Sequence, residues 1–150
     1  MKIKKQGFTL IELLVVIAII GLLSTLAVVA LGNARTKARD AKRMSDLKQV
    51  QTALELYYTD KNAYPTGTAV SLGSGSYACL GSGGWGATGC ASAYMGTVPL
   101  DPTNASPNVY TYTAASNTYY INASLEGTVN TLGPGAVHLN QSGISAGVGP

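Results

Sequence analysis

Beyond Lys61 the chain has no lysine or arginine, and its only carboxylates there are Asp101 and Glu126, with His138 as the lone imidazole. A catalytic site in that part would need those three groups to converge, and no nucleophile motif or phosphate-binding glycine loop accompanies them. An enzyme is therefore not expected. Cysteine is equally scarce. Cys79 and Cys90 are the only two thiols, and without nearby histidines they do not make a tetrahedral zinc site. Calcium takes roughly six to eight oxygen ligands with carboxylates among them, which two acids far apart in sequence do not supply. Neither a metal nor a cofactor is expected. Proline is missing from Phe8 to Asp60, so the strongest helix breaker is absent from that whole stretch.

What is present is unevenly spread. At 46% hydrophobic and 11% charged residues, the chain is too apolar for a disordered segment and poor in charge for a cytosolic domain. A short basic prefix, residues 1–7, precedes an apolar run from Phe8 to Leu31 that is broken only by Thr9, Glu12, Ser24 and Thr25 among its polar side chains. A helix needs about 20 residues to cross the hydrocarbon core of a bilayer, and this run is long enough. From Ala34 the apolar residues recur at Ala38, Ala41, Met44, Leu47, Val50, Leu54 and Tyr57, in steps of three and four that mark a helix face. Lys42 and Asp46 have the spacing of a helix-surface ion pair. One continuous helix from Phe8 to Asp60 is predicted, roughly 80 Å long at the usual rise per residue. Its first half is hydrophobic all round and its second half, residues 32–60, is amphipathic. Such a helix leaves an apolar stripe that a small domain covers only in part, so lipid and further copies of the chain are the expected cover.

The Tyr64-Pro65 step ends the helix, because the residue before a proline is pushed out of the helical region. Residues 61–150 then form the predicted head. Thr66 to Met95 is rich in glycine without a clear period and reads as loop. Val109–Thr113 and Tyr119–Leu125 read as strands joined through Ala114–Asn117, with a further strand expected within Val129–Val137 before a glycine-rich end. The fold class is therefore α+β, a long N-terminal helix packed on a small antiparallel sheet. In this loop-rich, extracytoplasmic setting Cys79 and Cys90 are expected to form a disulfide, contributing on the order of 3 kcal/mol in the chain-entropy picture. Two free thiols are the alternative.

The run Lys5-Gln6-Gly7-Phe8-Thr9-Leu10-Ile11-Glu12, with the apolar helix behind it, resembles the prepilin signature shared by type IV pilins and type II secretion pseudopilins. Tyr57-Tyr58 through Tyr64-Pro65 and Val98-Pro99-Leu100-Asp101-Pro102 are similar to positions in pseudopilin-like subunits. The resemblance implies a precursor in the cytoplasmic membrane with its head outside, cut by a prepilin peptidase between Gly7 and Phe8 and methylated on the new amine of Phe8. It further implies assembly into a helical homopolymer at the cell surface, with an assembly platform protein and ATPase as partners. Glu12 matches the family's assembly glutamate. Physical reasoning meets this expectation, since a carboxylate inside a membrane helix costs roughly 2.5–3.5 kcal/mol on insertion scales and needs a partner or a role. The amine of Phe8, one turn away in the same chain or on a neighbour, is such a partner; a glutamate snorkelling to the membrane surface is the other reading. Loss of the leader removes three of the ten basic residues and leaves the chain formally neutral, so no specific nucleic-acid binding is expected.

Several competing readings bear on the same residues. Ala30-Leu31-Gly32 offers small residues for signal-peptidase cleavage, but the helical period continues past it. Arg35, Arg39 and Lys42, with Arg43 nearby, form a basic helix face interleaved with Asp40 and Asp46, which reads as a solvated or subunit-contacting surface. Trp85 reads as a residue packed on the head or as an exposed contact. The sequons at Asn104, Asn122 and Asn140 are short patterns without further support. Two features depart from the family. Many members have proline where this chain has Val29, leaving Gly21 as the weak point of the apolar helix. Major pseudopilins commonly bind calcium through acids late in the head, and the shortage of acids here favours a pilus subunit over a secretion pseudopilin.

Overall fold

The computed structural model describes residues 7–149; the first six residues, which belong to the expected leader, and Pro150 lie outside the described residues. One helix, α1, spans Leu10–Lys61. It ends where Asn62 adopts a left-handed φ of 56° and its amide donates back to the Tyr58 carbonyl at 2.7 Å. Asparagine is one of the few residues that enters this conformation readily, so it closes the helix as glycine usually does. Two compact units divide between Arg35 and Thr36.

In the first unit every described residue from Gly7 to Arg35 is exposed. Leu10, Leu13, Ile17, Ile20 and their neighbours bury nothing within the chain, and α1 is long and apolar enough here to cross a membrane. The two hydroxyls in mid-run are satisfied without solvent: Ser24 Oγ donates to the Ile20 carbonyl at 2.7 Å and Thr25 Oγ1 to that of Leu22 at 2.8 Å. Back-bonding of this kind lets Ser and Thr sit in a helix without competing for other partners.

The second unit holds the rest of α1 and all the strands. Its main sheet is antiparallel throughout, in the order β1 (Gly67–Ser71), β4 (Thr111–Ala115), β5 (Thr118–Leu125), β6 (Gly135–Asn140), β7 (Gly143–Ala146), while β2 (Cys79–Gly81) and β3 (Gly84–Gly86) form a separate hairpin. Alternation along β5 turns Tyr119, Ile121, Ala123 and Leu125 into the core, as the two-residue period of a half-buried strand requires. Register then aligns Val70, Tyr112, Ile121, Leu139 and Ile144 in one row across the five strands. Leu47, Val50 and Leu54 of α1 belong to the same buried cluster as Tyr112, Ile121 and Leu139, each such side chain contributing about 1.5–3 kcal/mol by leaving water.

Three expectations are corrected. The segment 66–95, read as loop, contains β1 and the β2–β3 hairpin; glycine-rich strands of three to five residues carry too little apolar alternation to be seen. The connection between β4 and β5 narrows to Ser116-Asn117 because Ala115 pairs with Thr118. Val129 is not in a strand of the sheet: it pairs with Leu132 in a tight turn, with amide–carbonyl distances of 2.8 and 2.9 Å, so β6 starts only at Gly135 and β7 falls in the glycine-rich end.

Cys79 and Cys90 are joined in a disulfide with their Cα atoms 6.0 Å apart. Glycine is required beside it. A Cβ at Gly86 would come within 2.8 Å of Cys90 Sγ, and one at Gly81 within 2.5 Å of the Ala91 carbonyl oxygen.

Candidate assembly and processing site

At the start of α1, Thr9 is the capping residue and Glu12 lies three positions on. Thr9 donates its amide to Glu12 Oε2 at 2.8 Å and its hydroxyl to the same oxygen at 2.7 Å, while the Glu12 amide donates to Thr9 Oγ1 at 3.3 Å. This reciprocal capping box satisfies amides that a helix N-terminus otherwise leaves without partners. Phe8 is 86% exposed and, with Ile11, Glu12, Val15 and Val16, lines an apolar recess on the outside of the helix. Gly7 precedes it, exposed and in no regular element, with nothing within 4 Å of where a Cβ would stand. The Gly7–Phe8 peptide bond is thus presented on an irregular, accessible segment. Glu12 thus has a partner within its own chain that its charge alone does not indicate; the Thr-x-x-Glu pattern before an apolar run is the sequence signal for it.

A second polar cluster lies wholly in the C-terminal unit. Arg43 is fully buried and holds Asp101 with both arms of its guanidinium, Nε to Oδ2 at 2.7 Å and Nη2 to Oδ1 at 3.0 Å. Its Nη1 donates to Asp40 Oδ1 at 2.8 Å and to Glu126 Oε1 at 2.7 Å, and Nη2 also reaches Thr103 Oγ1 at 3.0 Å. Arg39 closes on Glu126 from the other side, with Nε 2.7 Å from Oε1 and Nη2 on Oε2. Asp40 in turn accepts the backbone amides of Glu126 at 3.0 Å and Gly127 at 2.7 Å. Planar, bidentate geometry of this sort is what arginine offers and lysine does not.

These contacts set the protonation of the acids. Hydrogen bonds from Arg39 and then Arg43 pull the Glu126 carboxyl down to about 2. For Asp101, burial pushes the carboxyl up, but the Arg43 bonds and the Thr103 and Asn104 amides together outweigh it and leave it below the usual range. The Arg43 guanidinium is held charged by Asp101 above all, against the opposing effect of burial.

The basic face read from the sequence therefore needs correction. Arg43 is buried, Arg39 is engaged with Glu126, and Lys42 pairs with Asp46 at 3.1 Å. Ala38 and Ala41, expected on the buried stripe, are exposed, whereas Asp40 and Arg43 take the inward positions. Of Asp101, Glu126 and His138, the first two meet on Arg43. His138 is engaged elsewhere, its Nδ1 lying 3.2 Å from the Gly147 carbonyl oxygen. Trp85 packs edge-on against Tyr112 with ring centroids 5.1 Å apart.

Residues 2–28 match the prokaryotic N-terminal methylation motif. The chain is 43% identical over 65 residues to the type II secretion system core protein G of Aeromonas hydrophila, a stretch covering 43% of the chain and 46% of that relative. It is 44% identical over 63 residues to the protein of the same name from Escherichia coli strain K12, covering 42% and 43%. To that of Vibrio cholerae it is 39% identical over 66 residues, covering 43% and 45%. The chain thus spans less than half the length of these curated relatives. No solved structure matches it.

Proposed function

We propose that the chain is a structural subunit of a filament built by a type II secretion-like system, inserted in the membrane as a precursor, cut after Gly7, methylated at Phe8 and polymerised through its N-terminal helix. The observation that carries this reading is the methylation motif over residues 2–28 on a helix whose apolar side chains from Phe8 to Leu31 have no cover within the chain. The scarcity of acids favoured a cell-surface pilus, but the name shared by the relatives gives the secretion filament the better support of the two. A prepilin peptidase, an assembly platform protein and an ATPase are the partners this reading requires, together with other copies of the chain.

In this proposal Glu12 has two successive tasks. In the precursor it closes the helix with Thr9. After cleavage the new Phe8 ammonium offers a stronger partner, and in the filament a carboxylate among packed apolar helices meets the ammonium of a neighbouring subunit. Removing one member of a buried charge pair typically costs about 3–5 kcal/mol, so the pair selects the axial register of the assembling helices. The test is intact-mass analysis of membrane and filament fractions from cells carrying the assembly machinery. A mature chain beginning at methylated Phe8 is the expected result, and a start at Asn33 would replace the proposal with an ordinary secretory signal.

A further inference from the structure

Tyr57, Tyr64, Tyr77 and Trp85 wall a solvent-open cleft of about 330 Å³ in the C-terminal unit, with Thr66 and Ser76 at its edge. It shares no residue with the recess at Phe8 and Glu12. Its volume is at the lower end for small-molecule sites, which start at about 300 Å³, and suits one or two rings.

The walls are held in place before any ligand arrives. Trp85 is set by its edge contact with Tyr112, whose hydroxyl is anchored on the Pro65 carbonyl at 2.6 Å. Tyr64 donates to the Glu55 carboxylate at 3.1 Å and lies against Tyr119 with centroids 4.6 Å apart. Tyr77 and Trp85 face each other obliquely, 6.2 Å apart at 60°. A ligand entering here has little side-chain freedom to remove, which is where weak binders usually lose affinity. The remaining side is bare backbone: a Cβ at Gly83 would meet nothing within 4 Å, and Gly84, at φ 98°, only Tyr57 Oη at 3.9 Å. Gly83, Gly84 and Trp85 all lie inside the loop closed by Cys79 and Cys90.

Chemistry narrows the ligand. Among the described residues no charged side chain lines the cleft, so ions gain nothing there. Aromatic faces are electron-rich and attract the electron-poor C–H bonds of a ring laid against them, while the hydroxyl-bearing residues Tyr57, Thr66 and Ser76 supply a polar edge. A pyranose ring combines a C–H face with a rim of hydroxyls. From these observations we infer that the cleft binds a neutral pyranose unit of a glycan. A proline-rich peptide also presents C–H faces, but it brings no hydroxyl rim, and its extended helix repeats over several residues, which calls for successive aromatic pockets.

Trp85 is the only tryptophan in the chain, so its fluorescence reports on this cleft alone. The full-length protein in a sugar-free zwitterionic detergent is titrated with methyl glycosides of glucose, galactose, mannose and N-acetylglucosamine. A saturable change with a millimolar Kd for at least one glycoside is expected. Thr66→Val and Tyr57→Phe should each weaken it about fivefold, the worth of one hydrogen bond, without lowering Tm, and Tyr77→Ala should abolish it. No saturable change with any glycoside in the folded protein overturns the inference. So does saturation by a hexaproline peptide in their place, or an affinity indifferent to all three substitutions. Filament yield from Thr66→Val should equal that of wild type, which keeps this result separate from the fate of the assembly proposal.

Discussion

Residues 10–35 and 36–61 belong to one helix and follow the same backbone rules, yet their side chains solve opposite problems. The first stretch is apolar and exposed throughout, with Glu12 as its one acid. The second buries three charged residues, Asp40, Arg43 and Asp46, among its inward positions. Where the chain supplies no cover, the sequence is uniform and fit for lipid or for copies of itself. Where the sheet supplies cover, the helix specifies its seat with hydrogen-bonded charge. Buried ion pairs of this kind add little net stability compared with apolar packing, but they penalise any misfit severely. The contrast therefore predicts that charge substitutions on the two sides will fail in different assays.

The largest effects are expected in the first stretch. Gly7→Leu should stop processing altogether, seen as full-length precursor retained in the membrane. Glu12→Ala should leave insertion intact and reduce sheared filament more than a hundredfold, the equivalent of about 3 kcal/mol, with no change in the melting of the C-terminal unit. Normal filament from Glu12→Ala would remove the distinction between the two stretches.

Arg43→Met should do the reverse. It leaves Asp101, Glu126 and Asp40 facing one another without their shared cation, and the expected loss is about 3–5 kcal/mol of stability, read as a lower denaturant midpoint for the C-terminal unit with processing unchanged. Arg43→Lys should also destabilise, because an ammonium cannot reproduce the bidentate hold on Asp101. Opening the disulfide by a Cys79→Ala, Cys90→Ala pair comes next, at roughly 3 kcal/mol for a loop of this size, measured by the same midpoint.

Acid should act through the same network. Glu126 and Asp101 both have folded-state values below their ordinary ones, so the stability they contribute is fully present above the ordinary carboxylate range. It is lost as pH falls from the usual 4.5 of a glutamate toward the 2 or so of folded Glu126. Melting followed from pH 6 to pH 2 should show this decline, and Glu126→Gln should flatten it. A wild-type profile equal to that of Glu126→Gln would mean that Arg39 and Arg43 do not hold Glu126 in solution.

How much of this was legible follows from the kind of signal each feature leaves. The apolar run and the three-and-four spacing of Leu47, Val50 and Leu54 announce the helix and its contact face, because hydrophobic burial has a period. The inward turn of Asp40 and Arg43 has none: charged residues on a helix read as solvent-facing until their partners, Asp101 and Glu126, are known, and those lie far away in sequence. Short glycine-rich strands such as β2 and β3 are stabilised by a disulfide and tight backbone approach, not by alternation, so they read as loop. The Thr9–Glu12 box does leave a signal, the Thr-x-x-Glu spacing at the helix start, but the charge of a lone acid in an apolar run masks it.

That position gives the smallest and sharpest test. If Glu12 serves only the capping box, Thr9→Val should come close to the assembly defect of Glu12→Ala, because each removes two of the three bonds of the box. Both lose the hydroxyl–carboxylate bond, Thr9→Val also the bond from the Glu12 amide, and Glu12→Ala also the bond from the Thr9 amide. If Glu12 acts on a neighbour's ammonium, Thr9→Val removes only a helix cap. Loss of a threonine cap is worth about 1 kcal/mol, which corresponds to about a fivefold fall in filament yield, far short of the loss expected for Glu12→Ala. Thr9→Ser keeps the hydroxyl and should restore most of that difference. Quantifying sheared filament from the three variants beside wild type, with membrane-retained subunit as the internal reference, orders them as Thr9→Ser, Thr9→Val and Glu12→Ala in decreasing yield. Equal yields from Thr9→Val and Glu12→Ala would reduce the role of the carboxylate to local helix capping and leave the uniform apolar face as the only driver of assembly.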